Sequence, residues 1–326
     1  MPPGSFAAAS SRIATRSRAR LRWARGPRRV VWRPFRIDPT APTPVIPAAD
    51  NWADPLVDAA LARCATPRLT PAQNRVRISR IAAAEGLGPD WGVAWRTDSH
   101  HAHRLLYLAY EHGGSALQNE VAEQVMSAHF RRGEDIGVHH RLREIALRCG
   151  FAEGAALLDT DAGDREVSEL LLVGRARAVR TSPTLVVGDR ALAGAQSPEV
   201  IADFLAEIAH LPAGRDGRSV MPPEVRRLRW AESLLDQGDP LGALTLLAPL
   251  LDAHGADPNV LRSAARGYFH SAQLSRARAI LETLVARTPD DSYARLMLGR
   301  TLRRLGREDE AASYLKAAAA MNPEYA

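Results

Sequence analysis

Cysteine is almost missing from this 326-residue chain: only Cys64 and Cys149 are present, 85 positions apart. Two thiols so far apart exclude a disulfide framework, a zinc ribbon and any Cys-x-x-Cys motif, and they fit a reducing cytoplasm. Long apolar runs are missing too. No stretch of eighteen or more apolar residues occurs, so nothing reads as a membrane span, and no continuous apolar core follows the N-terminal arginines as a secretory signal would require. No P-loop, Gly-x-Gly-x-x-Gly or Gly-x-Ser-x-Gly is found, which leaves nucleotide hydrolysis and esterase chemistry without support. Acidic residues are missing from positions 1–37, which hold ten arginines. Taking that +10 from the net +6 leaves about −4 for the rest of the chain, so the basic pI near 9.9 belongs to a tail and not to the folded body. Nucleic acid is therefore not the expected partner; only the tail could offer it a salt-sensitive surface.

What is there suffices for two ordinary domains, at 46% apolar and 25% charged residues. Residues 1–28 show no sustained period and read as a poorly ordered basic tail. Such a tail also resembles a transit peptide, but a miscalled or frame-disturbed gene start explains it better. "RRVVWRPFRIDP" (28–39) predicts a short strand at Val30–Trp32, ended by Pro34, and a Pro-rich crossover follows. From about 54 to 173 apolar residues recur at three- and four-residue steps, as in Leu105, Leu106 and Ala109 or Leu142, Ile145 and Ala146, predicting a helical insertion. "PTLVVGDRALAG" (183–194) predicts a hairpin turning at Gly188–Asp189. A helix follows, opened by Ser197 as N-cap and Pro198 at its first position. Residues 213–223 read as a linker.

Residues 224–326 repeat at one step. Ala243, Ala277 and Ala311 are 34 apart, as are Ala231, Ala265 and Gly299, and as are Leu247, Leu281 and Leu315. Gly238, Ala272 and Gly306 fall where each helix pair should turn, and Pro289 and Pro323 where second helices should stop. Three copies resemble the tetratricopeptide repeat, an all-α solenoid of helix pairs. The resemblance implies a peptide-binding groove lined by first helices. Arg262, Arg266, Arg300, Arg303 and Arg304 would face it and suit an acidic partner, although a plain solvated face is the competing account.

"VVWRPFRIDP", "DSHHAHRLLYLA" (98–109), "FRRGEDIGVHHRLREIALRCGF" (130–151) and "SPTLVVGDRALAGAQSPEV" (182–200) together resemble the DsbA-like thioredoxin superfamily. Within it the resemblance is particularly to FrnE-type oxidoreductases, relatives of 2-hydroxychromene-2-carboxylate isomerases and kappa-class glutathione transferases. Over 29–212 this implies an α/β thioredoxin-like fold with a helical insertion and a cis-proline loop, placing Ser182, Pro183 and Thr184 in the redox pocket with Asp98 and His103. The family's cysteine pair would fall near "FAAASSRI" (6–13), where no thiol stands, so the first strand and its cysteine-bearing helix read as missing or degenerate and thiol–disulfide exchange as impaired. Ser10 or Ser11 could orient a glutathione thiol, the one cofactor the resemblance allows. Cys64 and Cys149 read as small buried hydrophobes.

Two constellations tempt a chemical reading. His100 and His103 at i,i+3 could share a metal ion, yet no ligand set accompanies them, so no metal is expected. Glu134 and Asp135 are adjacent and cannot converge on one substrate as acid and base; they predict a capped loop. The function expected is thus a DsbA-type oxidoreductase scaffold, cytoplasmic and redox-impaired, coupled to a peptide-binding array. A non-catalytic adaptor and a glutathione-dependent isomerase or transferase are the alternatives.

Overall fold

The computed structural model describes residues 29–39, 41, 46–47, 95–210 and 221–325, with isolated helical positions at Gln73, Val76, Arg80 and Ala83. The basic tail, Ser10, Ser11, Cys64 and most of the predicted linker lie outside these residues. The chain falls into two compact units, one reaching Gly174 and taking in 179–210, the other made of Arg175–Ala178 and the residues from 221 on.

In the first unit β1 (Ile46–Pro47) pairs antiparallel with β2 (Trp95–Arg96), a strand inside the stretch where the apolar period predicts only helix. Four helices follow: α1 (His100–Arg131), α2 (His139–Arg148), α3 (Ala152–Leu157) and α4 (Asp164–Ala176). The predicted faces form the core, with Leu105, Ala109, Leu142, Ile145 and Ala146 all fully buried against one another. Helix α1 is broken at Gly114, whose φ of 61° and ψ of −159° are not helical and suit a residue without a Cβ. The amide of Gln118 reaches the carbonyl of Leu106, twelve residues back, at 3.1 Å. In a straight helix those positions would stand about 18 Å apart, so the break at Gly114 folds the second half back on the first.

The strand expected at Val30–Trp32 does not form among the described residues. Its main-chain groups are taken by a side chain: the Trp32 N–H donates to Gln118 Oε1 at 2.9 Å and the Trp32 carbonyl accepts from Gln118 Nε2 at 3.0 Å. Pro34 removes a further donor, so no ladder can run through the segment. Strands β3 (Thr184–Val187) and β4 (Arg190–Ala193) pair in the hairpin register Leu185 with Leu192 and Val186 with Ala191, turning at Gly188 with φ of 60°. Helix α5 (Pro198–His210) starts where expected; the Val200 N–H donates to Ser197 Oγ.

The second unit is three helix pairs: α6 (Pro223–Asp236) with α7 (Pro240–His254), α8 (Pro258–His270) with α9 (Leu274–Arg287), and α10 (Ser292–Arg304) with α11 (Glu308–Met321). Asp239, Asp257 and Asp291 cap α7, α8 and α10 by accepting first-turn N–H groups. Gly238, Ala272 and Gly306 all carry left-handed φ, 79°, 60° and 75°, at the turn inside each pair. The small residues spaced by 34 are where helices meet: Ala231, Ala243, Ala265, Ala277 and Ala311 are buried, and a Cβ on Gly299 would stand 2.7 Å from Leu315 Cγ. Helices α9 and α11 end at Arg287 and Met321, two residues before Pro289 and Pro323.

Two substitutions test this packing. Gln118→Leu leaves the Trp32 N–H and carbonyl without partners and should lower stability by about 2–4 kcal/mol in chemical denaturation. Gly299→Val should destabilise the repeats by about 1–3 kcal/mol through overpacking against Leu315, read as a lowered melting temperature.

Candidate functional site

Residues 32–34, both halves of α1 and Leu170 of α4 form one small hollow. It is lined by Trp32, Pro34, His103, Leu106, Tyr107 and Gln118. Trp32 is fixed twice over, since its indole Nε1–H also donates to Asn119 Oδ1 at 2.8 Å. Below it, Arg36 Nη2 lies 3.1 Å from Asp98 Oδ1 and Arg96 Nε lies 2.6 Å from Asp38 Oδ2, so two ion pairs clamp this segment to the residues before α1. Asp98 Oδ1 also accepts the His100 N–H at 2.9 Å; Asp98, and not Ser99, thereby satisfies the first turn of α1.

His103 Nε2 lies 3.2 Å from the Phe35 carbonyl. A carbonyl only accepts, so Nε2 carries the proton and Nδ1 holds the lone pair. Burial pushes the imidazole down to about 4, against a smaller upward pull from the Phe35 carbonyl. That shift favours the uncharged imidazole at neutral pH. His103 lines the hollow, whereas Asp98 does not; Asp98 pairs with Arg36 and acts on His103 only through its charge.

The Ser182–Pro183 peptide is cis. The Pro183 carbonyl accepts the Gly194 N–H at 2.8 Å, and Thr184 Oγ1 donates to the Thr181 carbonyl at 2.7 Å, so the turn is locked into the base of the hairpin. Among the described residues no hydrogen bond or ion pair joins Ser182, Pro183 or Thr184 to Asp98 or His103. One edge of β3 is paired with β4; the other pairs with nothing in that sheet among the described residues.

Cys149 is a free thiol at the end of α2, packed in the helical core, and burial pushes its pKa up. It is the opposite of an activated thiol, which needs positive charge and access. The histidines of "HHAH" separate: His100 Nε2 meets Asp164 Oδ1 at 2.7 Å, while His101 Nδ1 faces Arg104 Nη1 at 3.0 Å and its ring stacks edgewise on His139. No group of three metal-binding side chains occurs among the described residues. Asp135 Oδ1 accepts the Gly137 N–H at 2.8 Å and Glu134 pairs with Arg132 at 2.6 Å, closing the loop before α2.

The five arginines of the second unit fare differently from one another. Arg262 is held by Asp291 at 2.7 Å, Arg266 by Asp236 at 2.9 Å, and Arg304 donates to the Phe269 carbonyl at 2.9 Å. Arg300 and Arg303 are exposed and make no side-chain hydrogen bond or ion pair among the described residues. Residues that sequence reasoning passes over are Gln118, Arg36 and Phe35. Phe35 and Arg36 stand within the stretch "VVWRPFRIDP", but the roles of all three residues are set by partners 60 or more positions away in the chain.

A family model described as DSBA-like thioredoxin domain matches residues 10–206, and one described as tetratricopeptide repeat matches residues 234–301. No curated protein matches the chain.

His103 and His129 are both pushed down to about 4 by burial, against about 6.5 in an unfolded chain. The folded first unit therefore resists protons that the unfolded chain binds. Stability should fall as pH drops from about 6.5 to 4, with proton uptake on unfolding by His103, His129 and His101, whose pKa burial also lowers. Denaturation free energy measured across that window should show the slope, and His103→Gln should reduce it.

Proposed function

Starting from the chain's membership of the DSBA-like thioredoxin domain family, with tetratricopeptide repeats behind that domain, we propose that this protein works by binding and not by thiol–disulfide turnover. The first unit keeps the recognition half of a FrnE-type oxidoreductase: the Ser182–Pro183–Thr184 turn, the edge of β3 that pairs with nothing in its sheet among the described residues, and His103. An extended peptide laid along β3 would add a strand there and take its specificity from neighbouring side chains. The second unit would bring a protein partner to that domain through its helix pairs.

The observation that carries this reading is the state of sulfur. The sequence holds no Cys-x-x-Cys, and Cys149, the described thiol, is buried with its pKa raised. A mixed disulfide needs a thiolate that can reach substrate, and a serine hydroxyl cannot replace it. No helix among the described residues is long and apolar enough to cross a membrane, and we take the site of action to be the cytoplasm.

Insulin reduction by dithiothreitol, followed by turbidity, should run no faster with the protein than without it, and glutathione conjugation of an aromatic electrophile should likewise be unaccelerated. A rate enhancement that Cys149→Ala or Cys64→Ala abolishes would mean that the chain turns over after all.

A further inference from the structure

The array treats equivalent arginines unequally. Between the first helices of the first two pairs, Arg266 of α8 meets Asp236 of α6 at 2.9 Å. Advancing both residues by the 34-residue step turns Arg266 into Arg300 and Asp236 into His270. Where the second pair finds a carboxylate on its neighbour, the third finds an imidazole. Consistent with this, Arg300 is exposed and, with Arg303 one turn further on, has no side-chain hydrogen bond or ion pair among the described residues.

The surrounding contacts do not neutralise the pair. Helices α8 and α10 touch, and Arg304 ties the last turn of α10 to the end of α8, donating to the Phe269 carbonyl at 2.9 Å with its guanidinium 4.7 Å over the Phe269 ring. His270 is the next residue. Asp291 holds Arg262, Asp236 holds Arg266 and Glu310 holds Arg307, while Glu308 and Asp309, in the first turn of α11, make no ion pair with Arg300 or Arg303 among the described residues. One guanidinium, that of Arg300, is thus left in solvent where its counterpart in the preceding pair meets an acid, and Arg303 is exposed one turn further on.

We propose that Arg300 and Arg303, beside His270, form a docking site for a carboxylate carried by a peptide segment of a partner protein. That carboxylate takes the place on Arg300 that Asp236 takes on Arg266. The inference rests on the reading of the second unit as a peptide-binding array and narrows it from five arginines to two. A carboxylate is favoured over a nucleic-acid phosphate because the internal template is a carboxylate, which a planar guanidinium can grip through paired N–H donors.

The test uses the full chain and fluorescence anisotropy with a fluorescein-labelled decapeptide of alternating Asp and Ser, beside its Asn and Ser counterpart. The acidic peptide should bind at least about tenfold tighter than the Asn peptide. His270→Asp rebuilds the internal pair and should weaken acidic-peptide binding about tenfold or more without lowering the melting temperature. Arg300→Gln/Arg303→Gln should do the same, while Arg229→Gln, exposed on α6, should leave binding unchanged. Unchanged binding in His270→Asp and in the double variant overturns the site, as does equal competition by a single-stranded oligonucleotide. Equal binding of the Asn peptide overturns the site but leaves the peptide-binding array standing; failure of both peptides to bind overturns both.

Discussion

The carboxamide of Gln118 is buried and spends all its bonding on the main chain, joining Trp32 on both of its polar groups and Leu106 on the far side of the helical break. That side chain lines the hollow of the first unit and, together with Asn119 on the Trp32 indole and the Arg36–Asp98 ion pair, holds the segment that carries Trp32 and Phe35. It can reach both partners only because Gly114 folds α1 back on itself. A buried amide with every group satisfied specifies one arrangement sharply, because any slip strands polar groups out of water.

On the function proposed above, this arrangement separates recognition from reaction. The family's chemistry needs a thiolate at a helix start, facing the turn that precedes the hairpin. The turn is present with its cis peptide bond, and a neutral imidazole stands at the start of α1, but the described thiol lies in the helical core. Burial acts on both groups in the same sense, by disfavouring charge. It lowers the pKa of the His103 imidazole and raises that of the Cys149 thiol.

In the second unit the dominant constraint is close approach. Gly267 and Gly299 admit Leu244 and Leu315 to distances at which a Cβ would collide, and the buried alanines do the same between other helices. Polar residues then divide the remaining tasks. Three aspartates start helices, and Asp291 serves twice, capping α10 with one oxygen and gripping Arg262 with the other. An arginine so engaged holds neighbouring repeats in register and is not available to a partner.

The residue pattern alone determined the helical faces around Leu105 and Leu142, the hairpin with its Gly188–Asp189 turn, the Ser197 start of α5 and the 34-residue helix pairs. Each of these is a local rule read within a few residues or at one constant step, and the backbone obeys it wherever the side chains can be buried. Only the folded chain decided that Val30–Trp32 forms no strand, that Trp95–Arg96 does, and that Gln118 stands in for a missing ladder. It alone decided, too, that Arg262, Arg266 and Arg304 are occupied while Arg300 and Arg303 are open. Those outcomes depend on partners roughly 30–90 positions away. Whether a polar group finds one is settled by packing, because the same side chain is spent inside the fold or free at its surface according to which neighbour arrives.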